Sequence, residues 1–306
     1  MNSPVSARAR SITASWKKWS DASCLVTSKS LACSAMSEIV RVRVHGPDSL
    51  PTLIFLPGIQ GNWMLIGGFR RALLGRVRFV ELAYPSTTIW SLEEHAAAVE
   101  AALSEHRVAR GWLLAESFSS QVAWPLLARN KVVIKGLILA GGFVRHPWCW
   151  AVRMAQVFFS DLSFSLLSRV FRLYAWVTPF RFRKSPETYQ EIRNFIAGLT
   201  SQDIQGFKHR LELIAQNDPS LLASEVTVPI YALAGLFDPV VPWPWVRNSL
   251  RLNCPSFREF RIIARADHNV LGTAPVAAAE QILTWMAKAP TSKLQTPEKQ
   301  QTPSSN

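Results

Sequence analysis

Cysteine is scarce in this chain, and the few cysteines that occur are scattered. Among its 306 residues they occupy only positions 24, 33, 149 and 254, and no pair has the Cys-x-x-Cys spacing of a zinc or redox site. The spacing therefore predicts neither a disulfide framework nor a metal site. It fits a reducing compartment, so we expect a cytoplasmic protein.

Long apolar runs and long basic runs are also missing. No stretch of about 18 apolar residues occurs, so no transmembrane helix is expected. Lys and Arg number 34 against 21 Asp and Glu, giving a net charge of +13. The basic residues form no run of five or six, no zinc-finger spacing and no base-stacking motif. We therefore interpret the excess as a solvated basic face and expect no nucleic-acid partner.

Both ends of the chain differ from its body. Residues 1–36 lack the apolar core of a secretory signal, and we expect a disordered or non-native extension with Met36 as a second candidate start. Residues 289–306 are rich in Pro, Thr, Ser, Gln and Lys, which predicts a disordered tail. The folded body is expected between them, over residues 37–288.

Short apolar segments alternate with helical patterns through this body. Helices are predicted over Leu92–His106, Phe118–Arg129 and Ala274–Ala287, and Ser91 with Glu94 forms a capping box ahead of the first. The alternation predicts an α/β fold, in which helices cover both faces of a mostly parallel sheet. The predicted strands are Glu38–Val44, Thr52–Leu56, Arg78–Leu82, Gly111–Ala115, Val132–Ala140, Pro229–Ala234 and Phe257–Ala264.

The alternation stops between residues 144 and 223, where the pattern is helical. An insertion of this size between two late strands predicts a helical cap. Core packing explains most of its large apolar side chains, and we expect a subset to line an apolar substrate pocket. These side chains are Trp148, Trp150, Phe158, Phe159, Leu166, Leu167, Phe171, Tyr174 and Trp176.

One serine stands where a predicted strand passes directly into a helix. In the segment LLAESFSS, Ser117 follows an apolar strand, which is the context of a nucleophile elbow. The residues two before and two after such a serine must be small, and here Ala115 and Ser119 replace the usual glycines. We expect glycine to be tolerated at position 119, and we expect Glu116 to pack under the turn or bond a nearby loop.

An aspartate and a histidine follow two later strands. Asp238 lies in LFDPVVP and His268 in ADHNV, which completes the chain order Ser, Asp, His. The carboxyl ends of parallel strands meet at one edge of a sheet, so the three side chains are expected to lie together. We predict Ser117 as nucleophile, His268 as general base and Asp238 as the acid that holds the histidine tautomer. Asp267 is too close in sequence to bond the ring and is predicted to be structural.

A glycine-rich turn, LPGIQGN, follows the second predicted strand. In acyl-transfer enzymes such a turn supplies a backbone N–H that binds an oxyanion together with the N–H after the nucleophile. This predicts Ile59 and Phe118 as oxyanion donors through their main chains. Gln60 beside them, His146 after a central strand and Trp148 in the cap are predicted substrate-binding residues.

These segments together resemble the α/β-hydrolase superfamily. LPGIQGN, LLAESFSS, LILAGGFVRHP, LFDPVVP and ADHNV are similar in particular to small bacterial hydrolases, thioesterase- or carboxylesterase-like, that have an AESFSG-type elbow. The resemblance spans residues 51–286. It implies a serine hydrolase with a cap and no cofactor, and the apolar cap favours a hydrophobic ester or thioester as substrate. Serine at the nucleophile position excludes the haloalkane dehalogenases and epoxide hydrolases of this fold, which use aspartate there.

Other functions stay open at the level of sequence. Acyl transfer and carbon–carbon bond hydrolysis use the same fold and nucleophile. The serine at position 119 leaves open a weak or inert binding protein, because fold does not imply function. A basic, aromatic cap also leaves open peripheral contact with anionic lipid. The sequence predicts no oligomeric state.

Overall fold

The computed structural model describes residues 39–161 except residue 88, residues 190, 193 and 194, and residues 196–288. All of them belong to the unit of the chain that follows residue 37. The predicted extension over residues 1–36, the cap between residues 162 and 189 and the tail over residues 289–306 lie outside the described residues, as do the side chains of residues 158–161.

A sheet of seven strands forms the centre of the fold. Its strand order is β1-β3-β2-β4-β5-β6-β7. Only β1 is antiparallel to its neighbour, and the other pairs are parallel. The strands are β1 (Arg41–His45), β2 (Thr52–Leu56), β3 (Arg78–Ala83), β4 (Arg110–Glu116), β5 (Val133–Ala140), β6 (Ile230–Gly235) and β7 (Phe257–Ile263).

Helices connect these strands and cover the sheet. No helix in the described part of the chain is both long enough and apolar enough to cross a bilayer. A 3-10 turn at Met64–Ile66 precedes the first α-helix. The α-helices are α1 (Gly67–Leu73), α2 (Leu92–Glu105), α3 (Ser119–Arg129), α4 (Cys149–Asp161), α5 (Ser201–Gln216), α6 (Ser220–Glu225), α7 (Trp243–Asn253), α8 (Val270–Thr273) and α9 (Pro275–Lys288).

Alternate residues of the central strands enter two separate hydrophobic clusters. In β2, Ile54 and Leu56 join the cluster under α2, α3 and α7, whereas Leu53 and Phe55 join the cluster under α1, α8 and α9. All four side chains are fully buried. A parallel strand covered on both faces must be apolar at every position, which is why these segments are nearly continuous apolar runs in the sequence.

The predicted fold class is confirmed, and element boundaries agree within a few residues. The capping box of α2 forms as predicted: Ser91 Oγ accepts the Glu94 N–H at 3.1 Å, and Glu94 Oε2 accepts the Ser91 N–H at 2.7 Å. The prediction was wrong for the start of β1, which begins at Arg41, because residues 39 and 40 lie outside the strand. Its partner β3 ends at Ala83, which pairs with Arg41, and the next N–H, that of Tyr84, donates to the Gly61 carbonyl at 2.8 Å and not to β1.

Helices α4, α5 and α6 lie between β5 and β6, where the sequence predicts the cap. Helix α5 is held against the loop that follows β3. Asp203 accepts a hydrogen bond from the Ser86 hydroxyl at 2.6 Å, and His209 Nε2 lies 2.8 Å from the carbonyl oxygen of Trp90. These contacts fix α5 beside the carboxyl edge of the sheet.

Candidate active site

Three polar side chains meet at the carboxyl edge of the sheet, in the loops that follow β4, β6 and β7. Ser117 Oγ lies 2.8 Å from His268 Nε2, and His268 Nδ1 lies 2.8 Å from Asp238 Oδ2. Strand β5 separates β4 from β6, and β7 pairs with β6, so the three loops are neighbours in space. The fold thus brings the sequence-predicted serine, histidine and aspartate into one hydrogen-bonded chain.

Ser117 has a left-handed backbone conformation, with φ of +48°. For a residue with a side chain this conformation costs on the order of 1–3 kcal/mol, so its surroundings must hold it. The Ser117 N–H donates to the Ala140 carbonyl at 2.9 Å, and its carbonyl accepts the Ser120 N–H at 3.0 Å. The end of β5 and the first turn of α3 therefore fix the turn that presents Oγ to His268.

Both carboxylate oxygens of Asp238 are engaged. Oδ1 accepts the N–H groups of Val240 at 2.9 Å and Val241 at 2.8 Å, which leaves Oδ2 for His268. The Asp238 side chain is fully buried, and that of His268 is 22% exposed. Because a carboxylate faces Nδ1, the ring carries its proton there, and the Nε2 lone pair faces Ser117.

The electrostatic surroundings favour the protonated form of His268. Burial alone would lower its pKa, but the hydrogen bond and the charge of Asp238 outweigh that effect, and Glu116 and Asp267 add to it. The pKa of His268 therefore lies above its ordinary value of 6.5. A base with a raised pKa holds a transferred proton more firmly, as a proton acceptor for a serine hydroxyl requires.

Glu116 links the elbow to the loop of residues 57–61. Its Oε2 accepts the Gly58 N–H at 3.0 Å and the Gln60 side-chain amide at 3.3 Å, as expected of a residue that bonds a nearby loop. Burial raises the pKa of Glu116, although the Gly58 hydrogen bond and the charge of His268 oppose that rise. The Gln60 side chain, predicted to contact substrate, is thus tied to Glu116.

The hydroxyl of Ser119 also holds the 57–61 loop. It is completely buried and donates its single proton to the Pro57 carbonyl. The Tyr84 hydroxyl, 2.7 Å from Ser119 Oγ, must therefore be the donor in their shared hydrogen bond. Glycine would remove both bonds, so the expectation that glycine is tolerated at position 119 is open to a test of stability.

The main-chain N–H groups of Ile59 and Phe118 are free to bind an oxygen. Ile59 lies in the middle of the 57–61 loop, and Phe118 directly follows Ser117. Within the part of the chain that the structure describes, neither N–H donates a hydrogen bond. An N–H without a protein acceptor needs water or a ligand as partner, so both groups can serve a bound oxygen.

Arg210 contacts the same loop from the cap, and no sequence pattern singles it out. Its Nη1 donates to the Ile59 carbonyl at 3.0 Å and its Nη2 to the Pro85 carbonyl at 2.8 Å. An arginine among the polar residues of a helix is ordinarily solvent-exposed, but Arg210 is only 2% exposed. Only the tertiary structure reveals its partners.

His146 and Trp148, predicted to bind substrate, lie where the cap begins. His146 is buried, and burial together with the charge of His268 lowers its pKa to about 4. Its Nδ1 accepts the Trp148 N–H at 3.2 Å. The Trp148 ring is 37% exposed and lies 6.3 Å from that of Trp245. Beside them runs an open groove of about 490 Å³, lined by His146, Trp150 and Trp245 among others.

Asp267, predicted to be structural, bonds the backbone of the turn that carries His268. Its Oδ1 accepts the Asn269 N–H at 2.9 Å and so shapes the turn that carries His268. Across the described ranges, no cluster of His, Cys, Asp and Glu side chains is arranged to hold a metal ion.

Comparison with solved structures identifies the fold. The chain is similar to a hydrolase from Pseudomonas aeruginosa PA01, with a TM-score of 0.67 and 15% identity over 81% of this chain and 94% of that one. An enol-lactonase from Burkholderia xenovorans LB400 gives a TM-score of 0.66 and 15% identity over 81% and 96% of the two chains. A thermophilic esterase from Thermogutta terrifontis gives a TM-score of 0.64 and 19% identity over 82% of this chain and 93% of that one.

No protein-family model matches the sequence, and no curated protein matches it significantly. The structural similarities cover most of each compared chain, and these structures are α/β-hydrolases. The chain therefore has the α/β-hydrolase fold, with Ser117, Asp238 and His268 in the loops at the carboxyl edge of its sheet.

Proposed function

We propose that this protein is a serine hydrolase that cleaves an ester or thioester of a hydrophobic acyl group through an acyl-enzyme intermediate. The observation that carries the proposal is the chain of two 2.8 Å contacts from Ser117 Oγ through the His268 ring to Asp238 Oδ2. The strained backbone at Ser117 supports it, because strain of this kind persists at functional sites.

In the first half of the reaction, Ser117 Oγ attacks the carbonyl carbon of the substrate. As the new C–O bond forms, the hydroxyl proton passes to His268 Nε2, and Asp238 stabilises the resulting imidazolium. The carbonyl oxygen becomes an oxyanion and accepts hydrogen bonds from the Ile59 and Phe118 N–H groups. When the tetrahedral intermediate collapses, the bond to the leaving alkoxide or thiolate breaks, and His268 returns its proton to that group.

In the second half, water replaces the leaving group. His268 Nε2 accepts a proton from the water as its oxygen attacks the acyl carbon, and the same two N–H groups hold the oxyanion. Collapse breaks the bond to Ser117 Oγ, which regains a proton from His268. The products are the carboxylic acid and free enzyme.

Two observations support a small ester-like substrate with an apolar acyl group. Similar structures are named as esterases from several organisms and as an enol-lactonase. Large apolar side chains also lie where the cap begins, beside the loop that carries Asp238: Trp148, Trp150 and Trp245 are between 37% and 69% exposed.

The free thiols of Cys149 and Cys254 fit the expected cytoplasmic location.

Steady-state turnover of p-nitrophenyl butyrate and of a butyryl thioester tests this function. We expect the purified protein to hydrolyse at least one of them and the Ser117→Ala variant to lose turnover by at least about 10³-fold. Unfolding of the variant in urea provides the control, because a folded but inactive variant separates catalysis from stability. Equal turnover by the wild-type protein and the variant would contradict the proposal.

A further inference from the structure

Arg210 is a buried cation on a cap helix that reaches into the sheet domain. Besides its two carbonyl partners, its guanidinium carbon lies 6.0 Å from the centre of the Tyr84 ring. Its Nε is buried without a hydrogen-bond partner among the described residues. Burial lowers the pKa of Arg210 to about 10, with Tyr84 and Asp203 opposing the shift, so the side chain stays charged at neutral pH.

The 57–61 loop is shaped to receive this guanidinium. Gly61 has φ of +73°, and a Cβ built there would lie 2.7 to 2.9 Å from three guanidinium atoms of Arg210. A side chain at position 61 would therefore displace Arg210 or the loop. The glycine supplies both the left-handed backbone and the space that the cap arginine occupies.

Hydrogen bonds fix the backbone on both sides of Ile59. The Gly58 N–H is held by Glu116 from the elbow, and the Gly58 carbonyl accepts the Gly61 N–H at 2.9 Å. The Ile59 carbonyl is held by Arg210 from the cap. The Ile59 N–H shares its peptide plane with the Gly58 carbonyl, which Gly61 holds. Glu116 holds the peptide plane before it and Arg210 the plane after it, so the direction of the Ile59 N–H is fixed.

We propose that Arg210 is a positioning residue, which orients the Ile59 N–H for oxyanion binding and makes that orientation depend on the docking of helix α5. The inference rests on the proposed function, in which the Ile59 N–H binds the oxyanion. Removing Arg210 should therefore weaken transition-state stabilisation more than substrate binding, because an oxyanion donor acts mainly where negative charge develops.

The adjacent residue, His209, provides a matched control. It lies on the same helix and contacts the Trp90 carbonyl at 2.8 Å, so it too anchors the cap to the sheet domain. Its partner lies outside the 57–61 loop. A general loosening of the cap should appear in Arg210→Met and His209→Leu alike, whereas misplacement of the oxyanion donor should appear only in Arg210→Met.

The first readout is the separation of kcat from KM with p-nitrophenyl butyrate. For Arg210→Met we expect kcat to fall roughly 10- to 100-fold and KM to change less than about threefold. This loss is smaller than the roughly 10²- to 10³-fold for outright removal of one oxyanion donor, because the Ile59 N–H is misdirected and not removed. Arg210→Lys should recover part of kcat, because an ammonium group can still donate to a carbonyl. An equal loss of kcat in His209→Leu, or a change in KM alone, would overturn the proposal.

The second readout needs no catalytic activity. Hydrogen exchange of the Gly61 and Tyr84 amides reports the order of the loop, because Gly61 N–H donates to Gly58 and Tyr84 N–H donates to Gly61. We expect these amides to exchange roughly tenfold faster in Arg210→Met than in the wild-type protein. In Arg210→Lys the exchange should be slowed again in part, and in His209→Leu it should stay close to the wild-type rate. If the wild-type protein turns over no ester, the proposed function fails, and the positioning role of Arg210 is then judged from hydrogen exchange alone. Unchanged exchange rates of the Gly61 and Tyr84 amides in Arg210→Met would overturn that role.

Discussion

Asp238 divides its two oxygens between the backbone and the histidine. The N–H groups of Val240 and Val241 fix Oδ1, so the carboxylate cannot turn without losing two hydrogen bonds. This arrangement favours a single orientation of the oxygen that faces His268. The orientation of the base therefore depends on a rigid loop as well as on a charge.

Replacing Asp238 by Asn should lower kcat by roughly 10³- to 10⁴-fold, because the amide favours the wrong histidine tautomer. Turnover of p-nitrophenyl butyrate measures the loss. Asp267→Asn is the matched control, since Asp267 is bonded to the Asn269 N–H, and we expect it to keep turnover within about tenfold of wild type. A large effect at Asp267 with a small one at Asp238 would contradict these assignments.

The pH dependence of kcat/KM should report the raised pKa of His268. Only the neutral ring can accept the serine proton, so activity falls as the pH drops through that pKa, and the acidic limb should have its midpoint above 6.5. His146 and His95, whose pKa values burial lowers to about 4, remain neutral over most of this range. In Asp238→Asn the limb should move to lower pH, because the hydrogen bond and charge that raise the pKa are gone. A wild-type midpoint below 6.5, or no shift in the variant, would argue against this origin of the limb.

At the scale of elements, the start of helix α3 and the 57–61 loop are joined by the Ser119 hydroxyl. Ser119→Gly should lower the free energy of unfolding by about 1–3 kcal/mol, because it leaves the buried Pro57 carbonyl and Tyr84 hydroxyl without their partner. Urea unfolding measures this change. Tyr84→Phe, which keeps the Ser119–Pro57 bond, should cost less. Equal or higher stability and activity of Ser119→Gly would mean that small size alone matters there.

The sequence predicted the sheet well because a strand covered on both faces must be apolar along its whole length. The run Thr52–Leu56 was bounded correctly for this reason. The order of Ser117, Asp238 and His268 was also visible, since parallel strands bring the loops that follow them to one edge. Helix α7, in contrast, was not predicted: it begins Trp-Pro-Trp, and only its Val246 and Leu250 are buried, which gives a short apolar pattern.

Contacts that depend on residues distant in sequence could not be predicted. The Ser119 hydroxyl bonds Pro57 and Tyr84, which lie far from it in sequence. No local sequence pattern indicates that these residues meet. The burial of Arg210 likewise follows from how α5 docks on the loop after β3. For Gln60, its position beside the predicted oxyanion donor suggested a substrate contact, and its bond to Glu116 was not visible in the sequence.

At the scale of the whole molecule, the cap stands between two strands whose loops carry the site. It begins after β5, which adjoins the elbow strand, and ends before β6, which leads to Asp238. Trp148, Trp150 and Trp245 provide apolar surface where the cap begins. The predicted pocket residues between 162 and 189 lie outside the described residues, and their apolar side chains predict a preference for medium or long acyl chains.

A series of p-nitrophenyl esters from acetate to decanoate measures that preference. Each buried CH₂ contributes up to about 0.8 kcal/mol, so kcat/KM should rise by up to about fourfold per methylene until the pocket is full. The rise should then stop at the chain length that fills the apolar site. A flat series, or one that peaks sharply at acetate, would mean that the cap closes the site and that the substrate is small or polar.

Covalent labelling with a fluorophosphonate, followed by mass spectrometry of the peptides, tests the central claim most directly. The probe phosphonylates a serine only when a neighbouring base activates it, so the reaction does not depend on knowing the substrate. We predict one label, on Ser117, that is absent in Ser117→Ala and forms much more slowly in Asp238→Asn. A folded wild-type protein that takes no label, or one labelled at another serine, would contradict the assignment of Ser117, His268 and Asp238 as a catalytic triad.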